Sequence, residues 1–373
     1  MLDDKKRLVM VWNWCIVLLV FLGFVVVLSA ASVRTVNESG SYYILIVKQL
    51  MWLVMGGLAF TFFKRLDPKI AFQVSYLGVM ISIAMMILVY VPGLGLELYG
   101  ARRWIDLKII TVQPAEFAKL AFLFFAANGV KKLSKQKYYF QLTALFLVFS
   151  GLFYLQPDFD GLVVLGILYF SALLFSGLPI KLIAKTSFGF GLSGFILMFA
   201  APYRRERLFA FFFSNKDVKG SSYQLNQSLE GFRSGGLVGK GLGRSILKWN
   251  WLPSADSDFV FAIIAEEMGL LGALSVVCLF LAIAIMGYSI LRLTQDLSSR
   301  IIIGVGTIWI TFQAFLNIAS VLGIIPVLGL TLPFISSGGS SLLVFLALCG
   351  MISNASNERV PRKAKLKLIS AQV

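Results

Sequence analysis

The chain has 373 residues, 58% of them hydrophobic and only 14% charged, with a net charge of +16 and no histidine. Apolar runs of about 18 residues or more recur along it, which excludes an ordinary soluble domain and marks a polytopic α-helical membrane protein. Without histidine the usual neutral-pH base and metal ligand is missing, so any acid–base chemistry falls to a carboxylate. The positive charge does not call for nucleic acid, because much of it sits in short loops, as expected for cytoplasmic loops.

In chain order, the apolar runs predict ten spans near 11–31, 43–63, 70–91, 114–130, 138–155, 160–177, 181–200, 259–291, 300–323 and 338–355. The basic clusters are Lys5-Lys6-Arg7, Lys64/Arg65/Lys69, Lys131 to Lys137 and the tail from Arg359 to Lys367. An even number of spans separates each from the next, which puts both termini in the cytoplasm. The expected architecture is an all-α membrane protein with about ten transmembrane helices, forming a single integral membrane domain over 1–373. One large extracytoplasmic loop, about 201–258, lies between helices 7 and 8. The eighth run is too long for one straight span and must protrude, tilt or kink. Cys15, Cys278 and Cys349 fall in apolar runs and read as small buried hydrophobes.

Unusual residues gather in a few outward-facing stretches. The first holds Arg102, Arg103, Trp104 and Asp106, followed by Gln113-Pro114, Glu116 and Lys119. Proline suits the first turn of a helix, and Glu116 and Lys119, three apart, can pair on one helix face. The second is Gln156-Pro157-Asp158-Phe159-Asp160-Gly161; Asp158 suits a helix cap there, and it also offers a carboxylate to a metal or substrate.

The loop 201–258 carries nine basic residues: Arg204, Arg205, Arg207, Lys216, Lys219, Arg233, Lys240, Arg244 and Lys248. These make either a translocated loop or an anion-binding surface. Its glycines, Gly231, Gly235, Gly236, Gly239, Gly241 and Gly243, do not form a P-loop and suit close packing of backbone against the bundle.

Asp258 stands where this loop ends, and Glu266 and Glu267 lie inside the apolar run that follows. At about 100° per residue, Asp258, Ala262, Ala265 and Gly269 form one stripe of mostly small residues, which turns Asp258 toward the bundle or a cavity. Glu266 lies about 12 Å further along and is expected in an internal polar network, whereas Glu267 points nearly opposite Asp258. The last stretch runs from Asn317 through Pro326, Gly329, Thr331, Pro333 and Ser336 to Ser340 and Ser341. Its proline and glycine density predicts irregular backbone lining a cavity at membrane depth.

Together, Gly100-Ala-Arg-Arg-Trp-Ile-Asp, Gln113-Pro-Ala-Glu-Phe-Ala-Lys, Gln156-Pro-Asp, Gln227-Ser-Leu, Gly235-Gly-Leu-Val-Gly-Lys-Gly, Asp258-Phe-Val-Phe-Ala-Ile-Ile-Ala-Glu-Glu and Leu332-Pro-Phe-Ile-Ser-Ser-Gly-Gly-Ser-Ser resemble the SEDS family (shape, elongation, division and sporulation) of membrane peptidoglycan glycosyltransferases. They cover nearly the whole chain in family order and are more similar to the division branch than to the elongation branch. Departures are Asp256-Ser257 where His-Thr is common, Asp160 where glycine is common, and Ser337 for a frequent tyrosine.

The resemblance implies polymerisation of lipid II at the outer face of the cytoplasmic (inner) membrane, with Asp258 in the essential catalytic position. On that footing Asp258 is the expected general base of an inverting transfer. Arg102, Arg103, Arg204 and Arg205 are the expected phosphate contacts, while Trp104, Glu116, Lys119, Asp158, Gln227, Ser336 and Ser340 would line the substrate cavity. Glu266 and Asn317 would support it, and a divalent cation (Mg or Mn) would engage Asp258 and Asp158. The implied partners are a class B penicillin-binding protein transpeptidase and other divisome membrane proteins. Intramembrane charges at Lys48, Glu116, Lys119 and Glu266 also suit a lipid II flippase, which stays an alternative, as does an elongation-type polymerase.

Overall fold

The computed structural model describes residues 2–31, 41–67, 70–98, 101–108, 110–200, 221–249 and 251–357. Helices occupy every apolar stretch: α1 Leu2–Ala30, α2 Tyr42–Arg65, α3 Ala71–Leu88, α4 Pro114–Lys132, α5 Lys135–Leu155, α6 Phe159–Phe175 and α7 Ile180–Ala200. They continue, after α8 Ser221–Gly235, with α9 Val260–Arg292, α10 Leu297–Val321 and α11 Gly339–Ser356. Seven of these, α1, α2, α3, α5, α9, α10 and α11, are long and apolar enough to cross a membrane. A helix is the natural form for such runs, since hydrocarbon offers the backbone no other partners.

Helix starts follow the local sequence. Pro114 opens α4 from an extended Gln113; Ser134, Asp158 and Asp296 cap α5, α6 and α10 by accepting from Lys137 N, Gly161 N and Ser299 N. Burial alone would push the Asp296 carboxyl up, but Lys131, at 2.7 Å, and Ser299 hold it below its usual value. This ties the end of α4 to the start of α10.

The interior is formed by α4, α10 and α11. Helix α10 packs against α4, α6, α9 and α11, and α11 lies along α2. The all-α expectation misses one feature, a small antiparallel sheet between α3 and α4. Its strands β1 Gly95–Leu98, β2 Ala101–Asp106 and β3 Thr111–Val112 run in the order β1-β2-β3. Strands this short leave almost no alternation in the sequence from which to predict them.

The overlong eighth run does kink. Within α9, Gly269 has φ 67° and ψ −166°, and a Cβ there would lie 2.5 Å from Gly239 N. Breaking the helix frees backbone groups that must find other partners. Residues 236–241 supply them: Lys240 N and Gly241 N donate to Glu266 O and Glu267 O, at 3.0 Å each. In return Leu270 N and Leu271 N donate to Gly236 O and Leu237 O, at 2.9 and 3.2 Å.

The second half of the stretch read as a polar outer loop is therefore pinned beside α9 as far as Gly269, about 15 Å along the helix. It exposes Leu237, Val238, Leu242, Ile246, Trp249 and Trp251, an apolar edge that suits contact with lipid. Gly235 makes the approach possible, since a Cβ there would fall 2.0 Å from Ala265 O. Among the cysteines, Cys15 and Cys349 are buried as expected, but Cys278 is exposed on the outer face of α9.

Candidate functional site

The outward-facing stretches meet at one end of the bundle. Arg103 on β2 reaches the turn between α5 and α6, donating from Nε to Gln156 O at 3.2 Å and from Nη2 to Pro157 O, with Asp158 Oδ1 4.0 Å from Nη1. Gln113 N donates to Ser340 Oγ at 3.0 Å, joining the start of α4 to that of α11. The segment 254–258 is bound to the segment 322–338 by two hydroxyls. Ser336 Oγ donates to Ser257 O at 2.5 Å, and Ser337 Oγ donates to Asp256 Oδ2 at 2.8 Å. Two of the departures from the family pattern, Asp256 and Ser337, thus touch each other.

Asp258 sits at the centre of these ties. It precedes the first turn of α9, so the stripe of small residues begins after it; Ala262 and Ala265 receive α8 instead, against Gly231 and Gly235. Its backbone is held from both sides. Ser254, in a left-handed conformation with φ 57°, accepts from Ser257 N, Asp258 N and Phe259 N. Asn317 Nδ2 donates to Asp258 O at 2.7 Å and to Leu330 O at 2.6 Å. The side chain is half-buried. A strained residue fixing the backbone of a reactive carboxylate is a common device at functional sites.

A second carboxylate, missed in the sequence because its position is set by tertiary packing, lies beside it. Asp160 in the first turn of α6 accepts from Gly329 N at 2.9 Å. A Cβ built on Gly329 would be 3.1 Å from Asp160 Oδ2 and 3.7 Å from Asp258 Oδ2. Both oxygens therefore border one small space beside the segment 322–338. Asp158, also expected as a metal partner, caps α6 through Oδ1, which lies 4.0 Å from Arg103 Nη1. The only hint of Asp160 in the sequence was its departure from a common glycine.

The other expected substrate contacts are scattered in their surroundings. Lys119 is 1% exposed, pairs with Glu116 at 2.7 Å and lies over the Trp309 ring at 5.6 Å, so this pair is spent inside the core. Arg102 is exposed and paired with Glu97 at 3.0 Å. Trp104, on β2, and Gln227, on α8, are half-buried, and Arg204 and Arg205 lie outside the described residues. Ser340 is buried by its bond to Gln113.

Glu266 is buried and accepts from Lys240 Nζ at 2.7 Å, Ser245 Oγ at 2.5 Å, Ile246 N at 3.2 Å and Leu247 N at 3.3 Å. Glu267, expected to point away, is equally buried. It accepts from Ser29 Oγ at 2.6 Å and Ser245 N at 3.2 Å, with Lys248 Nζ 3.7 Å away. A helical wheel cannot show this, because residues 236–248 contact α9 at both Glu266 and Glu267.

The chain matches, over residues 10–360, the family model of FtsW, RodA and SpoVE, described as cell cycle proteins. A probable peptidoglycan glycosyltransferase FtsW from Mycobacterium tuberculosis is 36% identical over 355 residues, 94% of this chain and 68% of the relative. Stage V sporulation protein E of Bacillus subtilis is 34% identical over 356 residues, 91% of this chain and 94% of the relative. Among solved structures, a chain of a peptidoglycan synthase complex that coordinates polymerization and crosslinking matches with TM-score 0.75 and 26% identity, over 94% of this chain and 98% of that one. The rod shape determining protein RodA of Thermus thermophilus matches with TM-score 0.66 and 27% identity, over 94% and 96%. With the family model spanning nearly the whole chain, the protein belongs to the FtsW/RodA/SpoVE family of cell cycle proteins.

Proposed function

We propose that this chain is a peptidoglycan glycosyltransferase of the division type, polymerising lipid II at the outer face of the cytoplasmic membrane. In this reading the bundle crosses the membrane ten times, as the apolar runs suggest, with both termini in the cytoplasm. The observation that carries it is Asp258: a half-buried carboxylate, fixed through its backbone by Ser254 and Asn317, at the junction of the family's stretches.

The reaction joins a sugar hydroxyl to an anomeric carbon and releases a lipid pyrophosphate. Asp258 accepts the hydroxyl proton as the new bond forms, which is what a positioned carboxylate base does. Arg103, placed by the turn 156–158, is the described arginine best placed for leaving-group charge, with Arg204 and Arg205 as further phosphate contacts. Asp258 and Asp160 offer hard oxygen donors around one space, a pair suited to Mg or Mn together with substrate phosphate oxygens. Such an ion would neutralise charge on the departing pyrophosphate. Among the described residues no three such ligands cluster, so the substrate would complete the shell.

The flippase alternative loses support from packing. Glu116 and Lys119 are closed on each other, and Glu266 is enclosed by the loop, so three of the four charges expected to line a polar path are sealed apart. Crosslinking would come from a class B penicillin-binding protein, working with other divisome membrane proteins. Purified full-length chain, with and without that partner, should convert lipid II to glycan strands resolved by gel electrophoresis. Lipid II crossing liposomes with no strands formed under either condition would overturn the reading.

Gly329→Ala gives a sharper test of the paired carboxylates. The methyl would enter the space bordered by Asp160 and Asp258, where small displacements matter greatly. We expect polymerisation to fall by about tenfold to a hundredfold with the thermal midpoint unchanged. Wild-type rates would show that substrate does not use this space.

A further inference from the structure

One cavity lies far from Asp258. It occupies about 310 Å³ between α1, α2 and the end of α11, and Lys6, Lys64, Asn13 and Asn357 line its polar part. Helix α11 starts beside the site, at Gly339, and finishes at this cavity, which places the two at opposite ends of the bundle.

Two ammonium groups share this space. Neither meets a carboxylate among the described residues, and Lys64 Nζ rests over the Phe60 ring at 5.4 Å. Like charges brought into one cavity favour an anion between them. Asn13 accepts from Ser353 Oγ at 3.2 Å through its carbonyl oxygen, which leaves its amide hydrogens to donate.

The lining changes character along α1. Below Lys6 it continues through Met10, Trp14 and Val17, which are 55%, 61% and 51% exposed on a helix apolar enough to cross a membrane. From Lys6 to Val17 the rise is about 16 Å. A free phosphate would satisfy only the upper part. A ligand matching the whole gradient has an anionic head and a hydrocarbon chain.

We propose that this cavity is a binding site for one anionic glycerophospholipid, its phosphate facing Lys6 and Lys64 and an acyl chain along Met10, Trp14 and Val17. Basic recesses between helix ends recognise lipid headgroups in this way. The site is independent of the polymerase reading, since none of its residues belongs to the Asp258 end.

The test is native mass spectrometry of the full-length chain, titrated with phosphatidylglycerol and separately with phosphatidylcholine of the same chains. We expect one tightly held phosphatidylglycerol and at least about tenfold weaker phosphatidylcholine. Lys6→Gln with Lys64→Gln should weaken phosphatidylglycerol by a similar factor. Lys132→Gln with Lys137→Gln, on the same end but outside the cavity, should leave it unchanged. Equal binding of the two lipids to wild type overturns the proposal without recourse to any variant. So does equal weakening by both variant pairs, which would indicate diffuse attraction, or displacement of the lipid by millimolar inorganic phosphate. If truncation after Asn357 abolishes lipid binding, the occupied surface belongs to the tail and the proposal also falls.

Discussion

Replacing Asp258 with asparagine is expected to lower lipid II polymerisation by about 10²- to 10⁴-fold, the usual contribution of a positioned general base, with the fold intact. Asparagine has nearly the same shape, and the contacts that fix this position are made by the backbone. Asp258 N still donates to Ser254 O, and Asp258 O still accepts from Asn317 Nδ2. The thermal midpoint should therefore stay near wild type, and complex formation with the transpeptidase should survive. Asp160→Asn gives the comparison that assigns the role. It keeps an acceptor for Gly329 N and removes only the second charge, so it should cost less than Asp258→Asn. Wild-type polymer from Asp258→Asn would remove this carboxylate from the chemistry.

Much of this arrangement is legible in the sequence, and the part that is not has a physical reason. Apolar runs mark where helices form because a bilayer leaves the backbone no other choice. The length of the eighth run announces a break, and Gly269 supplies it. The stretches around Arg103, Asp158, Asp258 and Ser336 point to one another only through their likeness to a family, yet hydrogen bonds join them directly. Contacts that depend on chain reversal stay hidden. Asp160 comes beside Asp258 because the segment 322–338 packs against the start of α6. Glu267 is enclosed because residues 243–248 pass behind α9. Intramembrane charge likewise signals importance without saying of what kind, and Lys119 proves to be a core residue held by Glu116 and Trp309.

The second large effect is expected at Glu266, where stability and function meet. Its carboxylate, 1% exposed, is the common acceptor for an ammonium, a hydroxyl and two backbone N–H groups, all from residues 240–247. Truncation to alanine takes this acceptor from all four donors, and breaking a buried pair from one side costs about 3–5 kcal/mol. Lys240→Met should cost less, because its ammonium is 29% exposed and the two N–H groups and the hydroxyl still hold Glu266. Combining the two substitutions should be less damaging than their sum, the signature of residues that share one contact. Thermal unfolding of purified protein in detergent reads all three variants, and a Glu266→Ala protein that melts with wild type would refute the pinning role. The consequence reaches beyond stability, since residues 236–252 lead straight into Ser254 and Asp258. If the loop is released from α9, the turn that fixes Asp258 loses its anchor on one side, and polymerisation should fail in Glu266→Ala even at temperatures where the helices remain folded.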